Sequence, residues 1–598
     1  MLNLFPFRPR HPGSCWTEDC LGAATAFLAG ALGFYLTSFL LFASGIPLTP
    51  LHGWLIPGIG AVYYALCGGP GAPAKLARRA LAFFCAVTVV GAAFAFLSAR
   101  FYDLSWDGMA IAQERILALT LGWNPVRDPH FQEGTRLLAG TVPGKYPPGV
   151  AADNATGFPQ LVSAALALTT GSLSAGKAVT ALLAVLAFLS VWGCVGRLGF
   201  KLWGGFWFSV AVSLHPVAIY QSSSYYLDGC VASLFSSLLF LALVLARQPS
   251  LLLWGAVASA FLLLSASKTS GFWYGALLIT TLSGTRLWAN PRQWRPVLFF
   301  LFLGILGGAG IRGLAGLRIP QPSWKTVEDL QAMTDRRTEG FGVGSGSFGW
   351  SQLAELDPLR GFLLSHASVT APMPSRPELK PPFWFTRPEL SVFEDLSPDP
   401  RSGGFGPLYS GALLAGVWTA VVSLLRRPAP PVWTWLPLVP VVGSLWFTQS
   451  WWARWAPQGW LLPLLLVFPC LIHEPRPSRP WPVGFAWWTL ATCLLNSCLI
   501  LVFYSLGCIR SQRVVEQQLS FLRNLPSPLE LHWAKFPAPR LWLGWQQIPF
   551  EKTPEDPPRP RLVLLRSDTR VALPPDWQQL PLPTKERKEW EKRRLFEL

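Results

Sequence analysis

The sequence predicts an all-α polytopic membrane protein with about thirteen transmembrane helices and large extracytoplasmic loops. Three observations carry that expectation. Of its 598 residues 51% are hydrophobic and 14% charged, with a mean hydropathy of +0.35, whereas a soluble chain carries about a quarter charged residues. Apolar runs of membrane-spanning length recur from Leu21 to Leu506. The 49 Lys and Arg sit mainly between those runs, so the net charge of +17 reads as membrane topology and not as a nucleic-acid surface; no RNP, zinc-finger or helix-turn-helix pattern accompanies it. The 30 Trp and 55 Pro fit the same class, since Trp gathers at membrane interfaces and Pro is tolerated inside spans.

Taken in order, the apolar runs place spans near 21–45, 51–67, 81–98, 177–196, 203–220, 229–246, 251–266, 272–288, 296–314, 407–425, 431–448, 460–473 and 483–506. The first is too long for a signal-peptide core and reads as an uncleaved span. With Arg8 and Arg10 cytoplasmic, the inner connections hold Lys75, Arg78, Arg79, Arg197, Lys201, Arg247, Arg286, Arg292, Arg295, Arg426, Arg427, Arg476 and Arg479, and the short outer ones hold only Lys268 and Arg454. The positive-inside rule then places the N-terminus in the cytoplasm and the C-terminus outside, with the bacterial inner membrane as the expected location. Residues 1–506 form the membrane domain, with outer loops 99–176 and 315–406, and 507–598 an extracytoplasmic tail or small domain. Phe158 to Thr170 is read as a helix on the outer surface, because a further crossing would put Arg197 and Lys201 outside. Residues 107–121 read as a loop helix, 371–400 as Pro-rich and irregular, Arg561–Arg566 as a strand and Thr584–Leu598 as a charged helix.

The chemistry-bearing residues fall on the outer side. Asp103 and Asp107, four apart after the third span, would share a helix face; together in a cleft they would raise one carboxyl and supply a base, while the simpler alternative is that they cap and solvate a helix start. Arg454, Lys268 and Lys145 are outer cations suited to a phosphate, or else snorkel to lipid headgroups. Asp228 would position a sugar hydroxyl, hold a cation or begin a helix. Trp451 and Trp452 would stack on sugar rings or join an interfacial belt, and Tyr146 beside Lys145 is a further substrate-binding candidate. Gly403, Gly404 and Gly406 would admit a phosphate or simply turn the chain into a span. The ten cysteines show neither metal-ligand spacing nor a disulfide framework, and His130, His215 and His473 lack ligand spacing, so no metal is assigned.

The segments YDLSWDG (102–108), KYPPG (145–149), YYLDG (225–229), GGFGP (403–407) and WWARWAPQ (451–458) resemble those of GT-C integral membrane glycosyltransferases. The resemblance covers roughly residues 100 to 460. It implies inverting transfer of a sugar from a polyprenyl-phosphate donor to a glycan, lipid or protein acceptor at the outer face, with basic residues on the donor phosphate. By motif, Asp107 or Asp103 inherits the role of base. The DxxxD spacing is wider than the closer acid pairs of that superfamily, which leaves open both the choice of base and the use of a divalent cation. Two rivals come from other classes: a transporter or flippase of lipid-linked glycans, and a non-catalytic envelope assembly protein. Transport predicts polar groups at mid-membrane, and the proposed spans hold no interior Asp or Glu.

Overall fold

The computed structural model describes residues 15–67, 72–127, 156–289, 302, 304–311, 353, 356–372, 377–396, 399–425, 430–447, 449–472, 481–526, 528–532, 536, 538–553, 560–576, 588, 590 and 595–597. The chain is mostly helical. Its helices are α1 (Cys15–Ala43), α2 (Leu55–Cys67), α3 (Pro73–Ala99), α4 (Gln113–Thr120), α5 (Phe158–Thr170), α6 (Ala178–Leu198), α7 (Leu202–Ser213), α8 (Pro216–Tyr220) and α9 (Asp228–Arg247). They continue with α10 (Leu251–Ser267), α11 (Thr269–Ala289), α12 (Pro358–His366), α13 (Arg387–Glu394), α14 (Tyr409–Leu424), α15 (Leu438–Ser444), α16 (Leu461–Ile472), α17 (Trp481–Arg523) and α18 (Pro539–Trp545).

Five of the described helices are long and apolar enough to cross a membrane: Trp16–Ala43, Pro73–Ala99, Leu173–Leu198, Asp228–Arg247 and Pro482–Arg523. Shorter apolar helices pack around them, and this part of the chain is an all-α membrane protein. α9 is the central helix, buried along nearly its whole length against α6 and α10; α1 packs on α2, α6 and α10, while α14 and α16 pack on α17. α3 is held mainly at its two ends and leaves most of its surface exposed.

Proline decides where expected spans break. The 203–220 run is two helices, interrupted at Leu214–His215 before Pro216, and the 431–448 run is short turns around α15, because proline lacks the N–H that continues a helix. Residues 296–314, Arg426 and Arg427 lie largely outside the described residues.

α5 is buried from Phe158 to Ala165, wedged against α4 and the turns Pro50–Trp54 and Leu173–Lys177. At about 20 Å it is too short to cross alone. The boundary drawn at 506/507 falls inside α17, which runs on to Arg523 because the residues after Leu506 keep an apolar face, Val514, Val515, Leu519 and Leu522, beneath charged and amide side chains.

Beyond α17 the tail forms a small domain. Strands β1 (Leu529–His532), β2 (Phe550–Lys552), β3 (Arg561–Val563), β4 (Arg570–Ala572) and β5 (Phe596–Glu597) make one sheet in the order β2-β1-β4-β3-β5, parallel between β1 and β2 and antiparallel elsewhere. The strand expected at Arg561–Arg566 is β3, while the expected terminal helix is mostly outside the described residues and β5 occupies part of it. α18 docks this domain on the loop after α3: Trp542 Nε1 donates to Gln113 Oε1 at 3.1 Å, Arg540 pairs with Glu114, and Ala538 N donates to Met109 O at 3.3 Å.

Chain direction places the end of α3, the starts of α6 and α9, the end of α10 and the loops 358–406 and 449–457 at one end of the bundle. Lys75, Arg78, Arg79, Arg197 and Arg247 lie at the other, where Arg197 pairs with Glu18 at 2.5 Å.

Candidate functional site

The loop-bearing end gathers five chain segments around one guanidinium. Arg454 stands in a tight double turn, with Trp455 N donating to Trp452 O and Ala456 N to the same carbonyl. Gly404 allows this turn to approach the 399–406 loop, since a Cβ there would meet Ala453 Cβ at 2.7 Å. Below it, His215 Nε2 meets Pro457 O at 2.6 Å, and Tyr409 donates its hydroxyl to Gly459 O at 2.6 Å. Arg454 is thus fixed from beneath by the bundle.

Three carboxylates meet it. Arg454 donates through Nη2 to Asp107 at 2.5 Å and through Nε to Asp228 at 2.6 Å, and its Nη1 lies 3.7 Å from Asp399. Its plane lies 4.0 Å from the Tyr226 ring centroid. Asp228, the first residue of α9, is only 2% exposed and also receives Lys268 at 2.5 Å and the Gln221 amide at 3.3 Å. Asp399 accepts from Trp452 Nε1 at 2.5 Å and lies 3.9 Å from Arg401. Burial pushes the Asp399 carboxyl up to about 6, against the pull of Arg454 and Arg401 and with added repulsion from Asp107. Asp107 is the exposed member, with 39% of its side chain open to solvent. Three acids and three bases balance here, so an entering anion must displace a carboxylate or bring a proton.

Asp107 and Asp103 do not share a helix face. Asp103 precedes the helical residues and Asp107 lies in their first turn, ahead of the π-turn Gly108–Ala112 and α4. Asp107 makes no side-chain cap, so its carboxylate is free to face Arg454. Asp103 is buried, with Oδ1 accepting Ser105 N and Oδ2 accepting Tyr225 N, each at 2.9 Å. Burial raises its carboxyl, opposed by the Lys177 ammonium and by those amides. Gly108 is required beside it, since a Cβ would lie 2.1 Å from Asp103 Oδ2. Asp103 therefore ties the first loop to Tyr225, three residues before Asp228, and sets where Asp107 stands.

Of the expected site residues, Asp107, Asp228, Lys268 and Arg454 come together. Trp451 and Trp452 are buried and stacked on each other at 5.6 Å; the exposed indole is Trp455, with Lys268 Nζ 4.6 Å from its centroid. The Gly403–Gly406 turn is a packing device that seats Phe405 in the core and brings Gly406 against Asn496. Lys145 and Tyr146 lie outside the described residues. Sequence reasoning missed Asp399, hidden in a stretch read as irregular, and Lys177, whose ammonium is buried at the start of α6 and bonds Phe101 O. Asp399 carried no local signal beyond its flanking prolines.

The three carboxylates converge on Arg454, and among the described residues no His, Cys, Asp and Glu group forms a metal-ligand set. A cleft of about 130 Å³ runs between α3 and the bundle, lined by Val87, Gly91, Ala95, Trp54, Leu166 and Val179 among other apolar groups. Its upper end lies a few residues below the loop that carries Asp107. No family model, curated protein or solved structure matches the chain.

Proposed function

We propose that the chain is a thirteen-span, GT-C-like membrane glycosyltransferase of the bacterial inner membrane, with the loop-bearing end outside, moving a sugar from a polyprenyl-phosphate donor to an acceptor hydroxyl with inversion. The observation that carries this reading is the Arg454 junction: a partly exposed carboxylate, Asp107, held 2.5 Å from a guanidinium whose Nε is committed to buried Asp228 and whose Nη1 faces Asp399 at 3.7 Å. A base and an anion seat are thereby adjacent, and the apolar cleft along α3 would suit a lipid tail.

In the proposed reaction the donor phosphate is gripped by Arg454 and Lys268, with Arg401 beside them, and the tail lies along α3. Phosphate binding draws the guanidinium's Nη2 from Asp107, leaving that carboxylate unpaired beside the acceptor. The acceptor oxygen attacks the anomeric carbon, its proton passes to Asp107, and the bond from that carbon to the phosphate oxygen breaks with its electron pair leaving on polyprenyl phosphate. Tyr226 and Asp228 hold Arg454 in place throughout. No step is routed through a metal.

The test uses purified protein in lipid nanodiscs with a panel of radiolabelled polyprenyl-phosphate sugars. Asp107→Asn keeps shape and removes basicity, so transfer falls by about 10²- to 10⁴-fold while donor binding persists. Undiminished transfer by a stably folded Asp107→Asn protein would refute the assignment; a flippase would carry donor across the bilayer equally well in both forms.

A further inference from the structure

The loop between α12 and α13 carries an aromatic run with no role at the Arg454 site. Leu379, Phe383, Trp384 and Phe385 all expose their side chains, Leu379 at 64% and Trp384 at 62%. Exposed apolar groups in one short segment mark a surface with a partner. The segment lies about one turn below the loop end of α14. Phe383 packs its ring over Gly411 in the first turn of α14, where an added Cβ would meet it at 2.5 Å, and lies 6.2 Å from the ring of Trp488 on α17. Trp488 precedes Asn496, which bonds the loop end of α14 through Leu408 N, by eight residues; along a helix that is about 12 Å toward the opposite end. The run is thus continuous with the exposed faces of α14 and α17, on which Leu414, Trp418 and Trp488 are each more than half exposed.

We infer that Leu379–Phe385 is a re-entrant aromatic hook, its side chains set among the acyl chains of the leaflet on the loop-bearing side. Irregular backbone is the better tolerated beside lipid the more of its polar groups are satisfied within the protein. Here Pro381 and Pro382 have no N–H to satisfy, Lys380 N donates to Ala367 O and Trp384 N to Pro381 O, and just beyond the segment Thr386 N donates to Glu389 Oε2. The one charge in the segment, Lys380, turns inward to a buried ion pair with Glu389. Phe383 takes a φ of +64°, a conformation that a bulky residue avoids unless its surroundings enforce it, and that turn sets Phe383 against Gly411 while Trp384 points away. The hook would hold the 358–406 loop, and with it Asp399 and Arg401, at a fixed height above the bilayer.

The experiment places a fluorescent amino acid at position 384 of the full chain, reconstituted in phosphatidylglycerol and phosphatidylcholine nanodiscs. Emission is read against acyl-chain nitroxide lipids and aqueous iodide. Position 360, an exposed arginine on α12, is the aqueous control. At 384 the nitroxide lipids quench most of the emission and iodide little, and at 360 the order reverses. Iodide quenching at 384 overturns the inference, and so does protection from both quenchers, which would mean that a protein partner or a second copy covers the run. If the label at 384 prevents folding, the same reading at 379 decides the matter. None of these outcomes depends on sugar transfer, so they separate from failure of the glycosyltransferase reading.

Discussion

Two ionic clusters sit in the same set of loops and are built on opposite principles. Glu389 is closed locally: Lys380, the amides of Thr370 and Thr386 and the start of its own helix satisfy it, all within one stretch of chain, and the pair is almost wholly buried. The Arg454 cluster draws Asp107, Asp228, Lys268, Asp399 and Arg401 from distant segments, and one of its carboxylates stays open to solvent. A closed network fixes a loop; an open one assembled over long range can exchange a partner for a ligand. Partial exposure, and not the number of charges, separates the site from the brace.

The largest effect that would break this comparison is at its centre. Arg454→Ala removes the shared partner of three carboxylates and leaves buried Asp228 with Lys268 as its remaining cation beside the Gln221 amide, so it abolishes measurable transfer and costs stability of about 3 kcal/mol, the lower end for a broken buried pair. Arg454→Lys keeps the charge without the fork; it restores folding but not donor use. Thermal melting and donor-binding isotherms on the same preparations check both, and equal donor binding in all three proteins would remove Arg454 from the site.

A second, smaller effect sharpens the comparison through pH. The raised Asp399 carboxyl keeps its proton in the fold up to about 6, whereas an unfolded aspartate releases its proton near about 4. Between those values the native state binds more protons, so stability falls as pH rises, by at most about 3 kcal/mol. Asp399→Asn lacks this slope. Melting temperatures of wild type and variant should therefore diverge through that window and run parallel above it; parallel curves throughout would place the Asp399 carboxyl at its ordinary value.

The smallest effect belongs to the brace. Glu389→Gln keeps the shape of the side chain but turns one of its two acceptor oxygens into an NH2 donor, so the donors on one side, Thr370 N and Lys380 or Thr386 N, lose their acceptor, and the tie to Lys380, whose ammonium burial already disfavours, weakens. It costs about 1 to 2 kcal/mol and leaves turnover per folded molecule unchanged. A loss of turnover as large as that of Asp107→Asn would erase the distinction between the two clusters.

Much of this was legible in order along the chain. Hydropathy marked the five described helices long and apolar enough to cross, since a span needs a continuous apolar run whatever its neighbours are, and Lys75, Arg78, Arg79, Arg197 and Arg247 gather at one end of the bundle. Proline marked the breaks at Pro216 and around α15 only in retrospect, because a proline inside a membrane run is compatible with a kink as well as a stop. The helix over 107–121 was equally readable, and so were Asp107, Asp228, Lys268 and Arg454, because acids and bases at the ends of apolar runs have few other places to go.

What tertiary structure alone decided is which of these groups meet. The spacing of Asp103 and Asp107 suggested a pair, but a pair requires a common helix, and the chain enters that helix after Asp103, whose carboxylate instead binds the Tyr225 amide far away in sequence. Asp399 and Lys177 became visible only when packing brought them beside Arg454 and Asp103. The sequence by itself determined the class of protein, the helices and the end of the bundle where polar groups collect, since those follow from the local transfer of side chains between water and lipid. Which carboxylate is buried as a tie and which stays open toward a ligand depends on contacts between residues hundreds of positions apart, and no local free energy encodes them.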